Sequence, residues 1–223
     1  MRRNLIYFLV GLGLFTLFVL YSYLVHKDLF TKLDFDTTVR LQNNISRRFD
    51  DLFSYFSAIG SFEPMSIVLI ALVAFWRKII TGLSLLIGFV GFHFIEIFGK
   101  LFVDHLPPPE FLLRTKRLVE YPQFHVRAEF SYPSGHAGRA VFMGAILLFI
   151  IWNSNRISRE IKIILSLIIG VYLGIMLVSR VYLGEHWTTD VVGGSILALA
   201  LSMIGLSTYK LFPLHLKKSK TTH

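Results

Sequence analysis

Three short clusters along the chain combine residue types that can handle a phosphoryl group. The first is Lys100, followed by Asp104, His105 and Pro107-Pro108-Pro109. The second is Tyr132-Pro133-Ser134-Gly135-His136. The third runs from Ser179 and Arg180 through Gly184, Glu185, His186 and Trp187 to Asp190. Lys100 and Arg180 are cations at the ends of apolar runs, where charge is costly unless it has a task. With Ser134 and the backbone N–H groups around Gly135, they can hold phosphate oxygens. A Ser-Gly pair that opens a helix presents unpaired N–H groups to an anion, and Gly lets the backbone approach closely. Two histidines then suffice for transfer, one attacking phosphorus in line and one protonating the leaving oxygen. His186 and Asp190 are four apart, so on a helical turn they share a face. The carboxylate can accept Nδ1–H, fix the tautomer and leave Nε2 free to attack. His136 has no carboxylate at that spacing, which suits a general acid.

Taken singly, each of these residues has a plainer reading. A His at a helix end is usually structural, and an Arg near a membrane surface usually snorkels. A metal site built from His136, His186 and Asp190 lacks the paired His-x-x-x-His or Glu-rich helix that would support it, so no metal and no other cofactor is expected. Asp104 and Glu185 would repel an anionic substrate, which points to solvent-facing or ion-paired roles. Tyr132, Tyr182 and Trp187 fit an interfacial aromatic belt. What weighs against the plain readings is convergence, and that depends on the elements carrying the clusters.

Those elements read as membrane spans. Of the 223 residues, 54% are hydrophobic, 21 are Phe and only 17% are charged, a balance unusual for a soluble domain. Apolar segments run roughly over 4–25, 62–80, 82–103, 137–153, 161–181 and 190–212, each approaching the ~20 residues a helix needs to cross a bilayer. The expected fold is an all-α polytopic bundle of six transmembrane helices, one domain over 1–223. The first apolar run is too long for a signal-peptide core, and Tyr21, Tyr23 and His26 offer no small-residue cleavage site, so a retained span is expected. Between the first two spans, Leu33, Val39, Leu41, Ile45, Phe49, Leu52 and Phe53 recur at helical spacing. They predict an amphipathic interfacial segment that packs on the bundle. Cys is absent, which excludes disulfides and thiolate metal sites.

Charge sets the orientation. The formal net charge is +9, but the basic residues sit at the ends of apolar blocks, a pattern of topology and headgroup attraction rather than nucleic-acid binding. With six spans and both termini cytoplasmic, Arg2, Arg3, Arg77, Lys78, Arg156, Arg159, Lys162, Lys210, Lys217, Lys218 and Lys220 lie inside. All three polar clusters then fall on the outer face of the cell membrane, as a single active site requires.

The sequence resembles the type-2 phosphatidate phosphatase family, which also includes the vanadium haloperoxidases. That family carries Lys-x6-Arg-Pro, then Pro-Ser-Gly-His, then Ser-Arg-x5-His-x3-Asp. The second motif stands intact as Pro133-Ser134-Gly135-His136, and the third as Ser179-Arg180, His186 and Asp190. The resemblance implies a metal-independent phosphatase acting on a lipid phosphate or pyrophosphate in the bilayer. In it, His186 is the nucleophile oriented by Asp190, His136 is the acid, and Lys100, Ser134, Gly135 and Arg180 bind phosphate. The first motif departs from the pattern: beyond the six residues that follow Lys100 stands Pro107, then Pro108, where Arg-Pro is expected. Proline can neither donate nor carry charge. Arg139, three residues after His136 and on its helical face, ranks first among substitutes, ahead of Arg114, Arg127 and His105. Three rivals remain: a lipid phosphotransferase using the same His, a haloperoxidase, and a non-catalytic lipid-binding member of the fold. The haloperoxidase is disfavoured because those relatives are soluble.

Overall fold

A computed structural model describes residues 2–76, 78–115 and 130–209 of the chain. Arg77, Arg127, Lys210, Lys217, Lys218 and Lys220 lie outside the described residues. Among the described residues the regular structure is all helical, as the apolar runs predict. The helices are α1 (Arg2–His26), α2 (Thr31–Asn44), α3 (Asp50–Ile59), α4 (Phe62–Trp76), α5 (Ile79–Phe102), α6 (Gly135–Asn153), α7 (Arg159–Tyr182) and α8 (Thr188–Leu206). Five of them, α1, α5, α6, α7 and α8, are long and apolar enough to cross a membrane. With 15 residues, α4 rises only ~22 Å. It becomes a sixth candidate when joined, across a 47° bend, to the Arg47–Ile59 stretch before it.

The bundle is organised around α6 and α8. Of their apolar windows 61% is buried within the protein, against 11% for α1 and 6% for α7. Helix α8 packs on α1, α5 and α6, while α6 also packs on α7. Phe92, Phe142, Ile146, Leu197 and Leu206 fill the space between them. The outer helices leave Leu9, Leu12, Ile164, Leu167 and Val171 exposed, which costs nothing where the surroundings are hydrocarbon. The central helices touch through small residues. A side chain at Gly194 of α8 would run into the Ser134 carbonyl at the mouth of α6, so glycine there lets the two segments meet backbone to backbone.

The interfacial segment forms two helices, and α2 rests on α7 and α8. The face it turns inward is the polar one. Asp34, Thr38 and Gln42, spaced by four, are buried, whereas Leu33 and Phe35 point away. Helix α3 repeats this, burying Asp50, Ser54 and Ser57 and exposing Leu52, Tyr55 and Ile59. For an interfacial helix the apolar stripe has acyl chains as a partner. The polar stripe instead finds groups inside: Gln42 Nε2 donates to the carbonyls of Leu112 (2.7 Å) and Tyr182 (2.9 Å).

Candidate active site

The third cluster is shaped by how α7 ends and α8 begins. Gly184 has φ +68° and lies so close to the Leu112 carbonyl that no Cβ would fit, which suits the left-handed residue that closes a helix. The chain then doubles back, and the His186 N–H donates to the Arg180 carbonyl at 3.2 Å. His186 therefore stands just before the N-cap of α8, not within its first turn as the spacing alone predicts. Asp190, at the third position of the helix, reaches back over the cap. Its Oδ2 accepts the Trp187 backbone N–H at 2.9 Å and His186 Nδ1 at 3.3 Å. A carboxylate there satisfies an otherwise unpaired N–H and suits the positive end of the helix. The same contact makes Nδ1 the protonated nitrogen and leaves the lone pair on Nε2. Burial lowers the His186 pKa, and the charges of Arg180 and Lys100 add to that effect; the pull of Asp190 in the other direction does not cancel it. The imidazole is thereby kept neutral near pH 7.

The second cluster meets the third through the backbone. The Ser134 N–H donates to the Asp190 carbonyl at 3.0 Å, setting the mouth of α6 against that of α8. Ser134 is the N-cap of α6, yet its side chain makes no capping bond. Among the described residues its Oγ is buried without a hydrogen-bond partner, as is Arg180 Nε. The rest of the Arg180 guanidinium is held rigidly, with Nη1 on Ser57 Oγ and Nη2 paired with Glu185. His136 follows at the first turn of α6, with Nε2 3.4 Å from Ser61 Oγ. It lies within reach of the charges of Arg180, Arg139, His186 and Lys100. The six residues of the second and third motifs that carry roles in the sequence reading are thus drawn to one place.

Lys100 and Arg139 converge on a residue that the sequence reading passed over. The Glu96 carboxylate takes Lys100 Nζ at 3.1 Å, Arg139 Nη1 at 3.2 Å and His93 Nδ1 at 3.1 Å. Arg139 Nε also donates to the Gly60 carbonyl at 2.9 Å. Glu96 packs so tightly on Gly135 that a Cβ there would collide with the carboxylate. An acid inside an apolar span, one turn before Lys100, was the available signal. Below this cluster, a cavity of about 330 Å³ opens between α4 and α5, lined by residues including Phe62, Leu69, Phe89, Val90 and Ile97. Its upper wall adjoins the site, since Phe62 follows Ser61 and Ile97 precedes Lys100 by one turn.

Of the other residues singled out in the sequence, His105 does not present a free nitrogen to an anion. Nδ1 bonds Asp190 Oδ1 at 2.8 Å, and Nε2 lies 3.6 Å from Asp34 Oδ2. Arg114 is engaged with the Tyr182 hydroxyl and the Gln42 carbonyl. Glu185 is ion-paired with Arg180, and the largely exposed Asp104 pairs with His26 at 3.6 Å. Tyr132 and Tyr182 are not belt residues: both are fully buried. Tyr132 bonds Ser22 through its hydroxyl (2.9 Å) and Tyr182 bonds Asp50 (2.5 Å). Among the described residues no group of three or more His, Cys, Asp or Glu side chains has metal-holding geometry.

Comparison with known proteins supplies a family. The model of the PAP2 superfamily matches residues 78–212. Phosphatidylglycerophosphatase B of Bacillus subtilis (strain 168) is 27% identical over 138 residues, covering 62% of this chain and 63% of that protein. Undecaprenyl-diphosphatase of Sulfolobus acidocaldarius is 33% identical over 130 residues, 58% and 55% of the respective chains. The chain thus spans between half and two thirds of the length of these curated relatives. Among solved structures, the transmembrane PAP2-type phosphatidylglycerolphosphate phosphatase from Bacillus subtilis superposes with a TM-score of 0.70. It is 23% identical, with 91% of this chain and 98% of that one covered. Aquifex aeolicus LpxE follows at a TM-score of 0.54 and 21% identity, with 78% and 94% covered. The matched region holds both complete motifs and more than half of the chain, and the protein belongs to the PAP2 superfamily.

Proposed function

We propose that the protein is an integral membrane phosphatase that hydrolyses a lipid phosphate monoester or pyrophosphate through a phosphohistidine at His186, as one membrane domain over residues 1–223. One observation carries the reading: the buried His186–Asp190 pair stands one hydrogen bond from both Ser134 and Arg180, whose Oγ and Nε are buried without partners among the described residues. Each such orphan costs about 1–3 kcal/mol unless a ligand satisfies it. One orphan is a donor and the other a hydroxyl, and they flank a helix N-terminus, a combination that favours a phosphoryl oxygen.

In the first step the His186 Nε2 lone pair attacks phosphorus, the bond from phosphorus to the lipid oxygen breaks, and protonated His136 gives its proton to that oxygen. In the second, neutral His136 takes a proton from water as the water oxygen attacks phosphorus. The N–P bond breaks, inorganic phosphate leaves, and both histidines regain their starting states. Lys100, Arg180, Ser134 and the N–H groups at Gly135 stabilise charge on the non-bridging oxygens, with Arg139 as a further donor in place of the missing first-motif Arg. No metal is required by any step. The apolar lining of the α4–α5 cavity suits part of a hydrocarbon tail, and the relatives' names agree with a lipid substrate. The site faces the outer side of the membrane, with both termini cytoplasmic.

Phosphate release by the purified protein from a panel of lipid phosphates, with chelator present, tests the assignment. Activity is expected to survive chelation and to fall by at least about a thousandfold in His186→Ala, as for loss of a catalytic nucleophile. His136→Ala is expected to lose about 10²–10⁴-fold. Turnover that needs added metal, or that persists in His186→Ala, would refute it.

A further inference from the structure

We propose that His105 is a positioning residue for the nucleophile, clamped between Asp190 and Asp34 so that it fixes the carboxylate that aims His186. The inference rests on the reading of His186 given above. Asp190 is fully buried and divides its two oxygens: Oδ2 serves His186 and the Trp187 N–H, while Oδ1 serves His105. The His105 bond is the shorter of the two imidazole contacts, 2.8 Å against 3.3 Å. Rotation of the carboxylate, which would drop the His186 contact, is therefore opposed from the far side.

His105 is itself held at both ends. Its carbonyl accepts the Ser131 N–H at 3.0 Å and Ser131 Oγ–H at 3.1 Å, and the imidazole and the Tyr132 ring meet in a T-shaped contact. Its outer nitrogen faces Asp34, which is equally buried and belongs to α2. Asp34 in turn accepts the Thr189 N–H at 2.9 Å and Thr189 Oγ1 at 2.7 Å, satisfying another N-terminal N–H of α8. The interfacial helix is thereby bonded to the turn that carries the nucleophile. Two carboxylates this close need a hydrogen-bonding, positively charged partner between them, and His105 is placed to be that partner. With both nitrogens turned to carboxylates, His105 acts through Asp190 and does not touch the phosphoryl group, just as outer partners of metal-bound histidines act by orienting them.

Steady-state kinetics on the full-length protein, with a soluble short-chain lipid phosphate as the probe, test this. His105→Gln and His105→Gly are compared with wild type and with His186→Ala. Loss of an orienting partner is expected to lower kcat by about ten- to a hundredfold while KM stays within about threefold. Added imidazole is expected to restore part of kcat in His105→Gly, a response that a merely structural defect would not show. An unchanged kcat in His105→Gln, or a rise in KM with kcat intact, would overturn the proposal; the second result would make His105 a direct phosphate contact. His186→Ala separates the two levels. If it is inactive while the His105 variants match wild type, only the positioning role falls, whereas activity in His186→Ala removes the mechanism on which it rests.

Discussion

Asp190 is the residue on which the site turns, because its carboxylate and carbonyl accept from His186, Trp187, His105 and Ser134. Its neighbour His105 also carries a measurable signature. Burial works against its charged form, yet the hydrogen bonds to Asp190 and Asp34 and their negative charges prevail and raise its pKa to about 9. The groups that face it are Asp190 of α8, Asp34 of α2 and Tyr132 ahead of α6; Tyr21 of α1 lies near the two carboxylates. A folded-state pKa above the unfolded 6.5 means stability fully present below about pH 6.5 and lost as pH rises through about 9. The apparent melting temperature of the detergent-solubilised protein is therefore expected to fall between pH 7 and pH 10. In His105→Gln that slope should flatten. An identical slope in the variant would assign the loss to other groups.

At the level of helices, the proposed chemistry gathers at the mouths of α6 and α8 and the outer ends of α5 and α7, while α4 and the middle of α5 frame the apolar cavity below it. Val90 lines that cavity but contributes nothing to the phosphate cradle. Val90→Trp is expected to raise KM for a long-chain lipid phosphate about tenfold, equivalent to ~1.4 kcal/mol of lost tail contact. KM for a short-chain analogue should change by less than about twofold. Equal effects on both substrates would mean the tail lies elsewhere. Much of this arrangement was legible in the sequence. Runs of about twenty apolar residues require helices, and the fixed spacings of Pro133-Ser134-Gly135-His136 and Ser179-Arg180 to Asp190 mark the residues that we propose form the cradle. Three features were not. Periodicity shows that α2 is amphipathic but not which face meets hydrocarbon, so the buried Asp34 went unseen. Glu96 reads as a stray charge until α6 brings Arg139 to it. His105 reads as a free donor until two carboxylates, 71 residues before it and 85 after it, close on its two nitrogens.

Across the whole molecule, the proposed single site requires that both helix mouths open on the same side of the bilayer, and the distribution of basic residues leads us to propose the outer side. The natural absence of cysteine makes this open to single-cysteine labelling in intact cells. Asp104→Cys, at an exposed position near the site, is expected to react with a membrane-impermeant maleimide. Asn155→Cys, in the exposed α6–α7 connection, is expected to react only after permeabilisation. The reverse pattern would invert the orientation and move the site to the cytoplasmic face. The mechanism stands or falls with the phosphohistidine, which rapid quenching of the protein with a radiolabelled lipid phosphate would trap. A stoichiometric label is expected that survives alkali, is lost in acid, maps to His186 and is absent from His186→Ala. Turnover with no trapped label under conditions that slow the second step, or a label mapping to any residue other than His186, would contradict it.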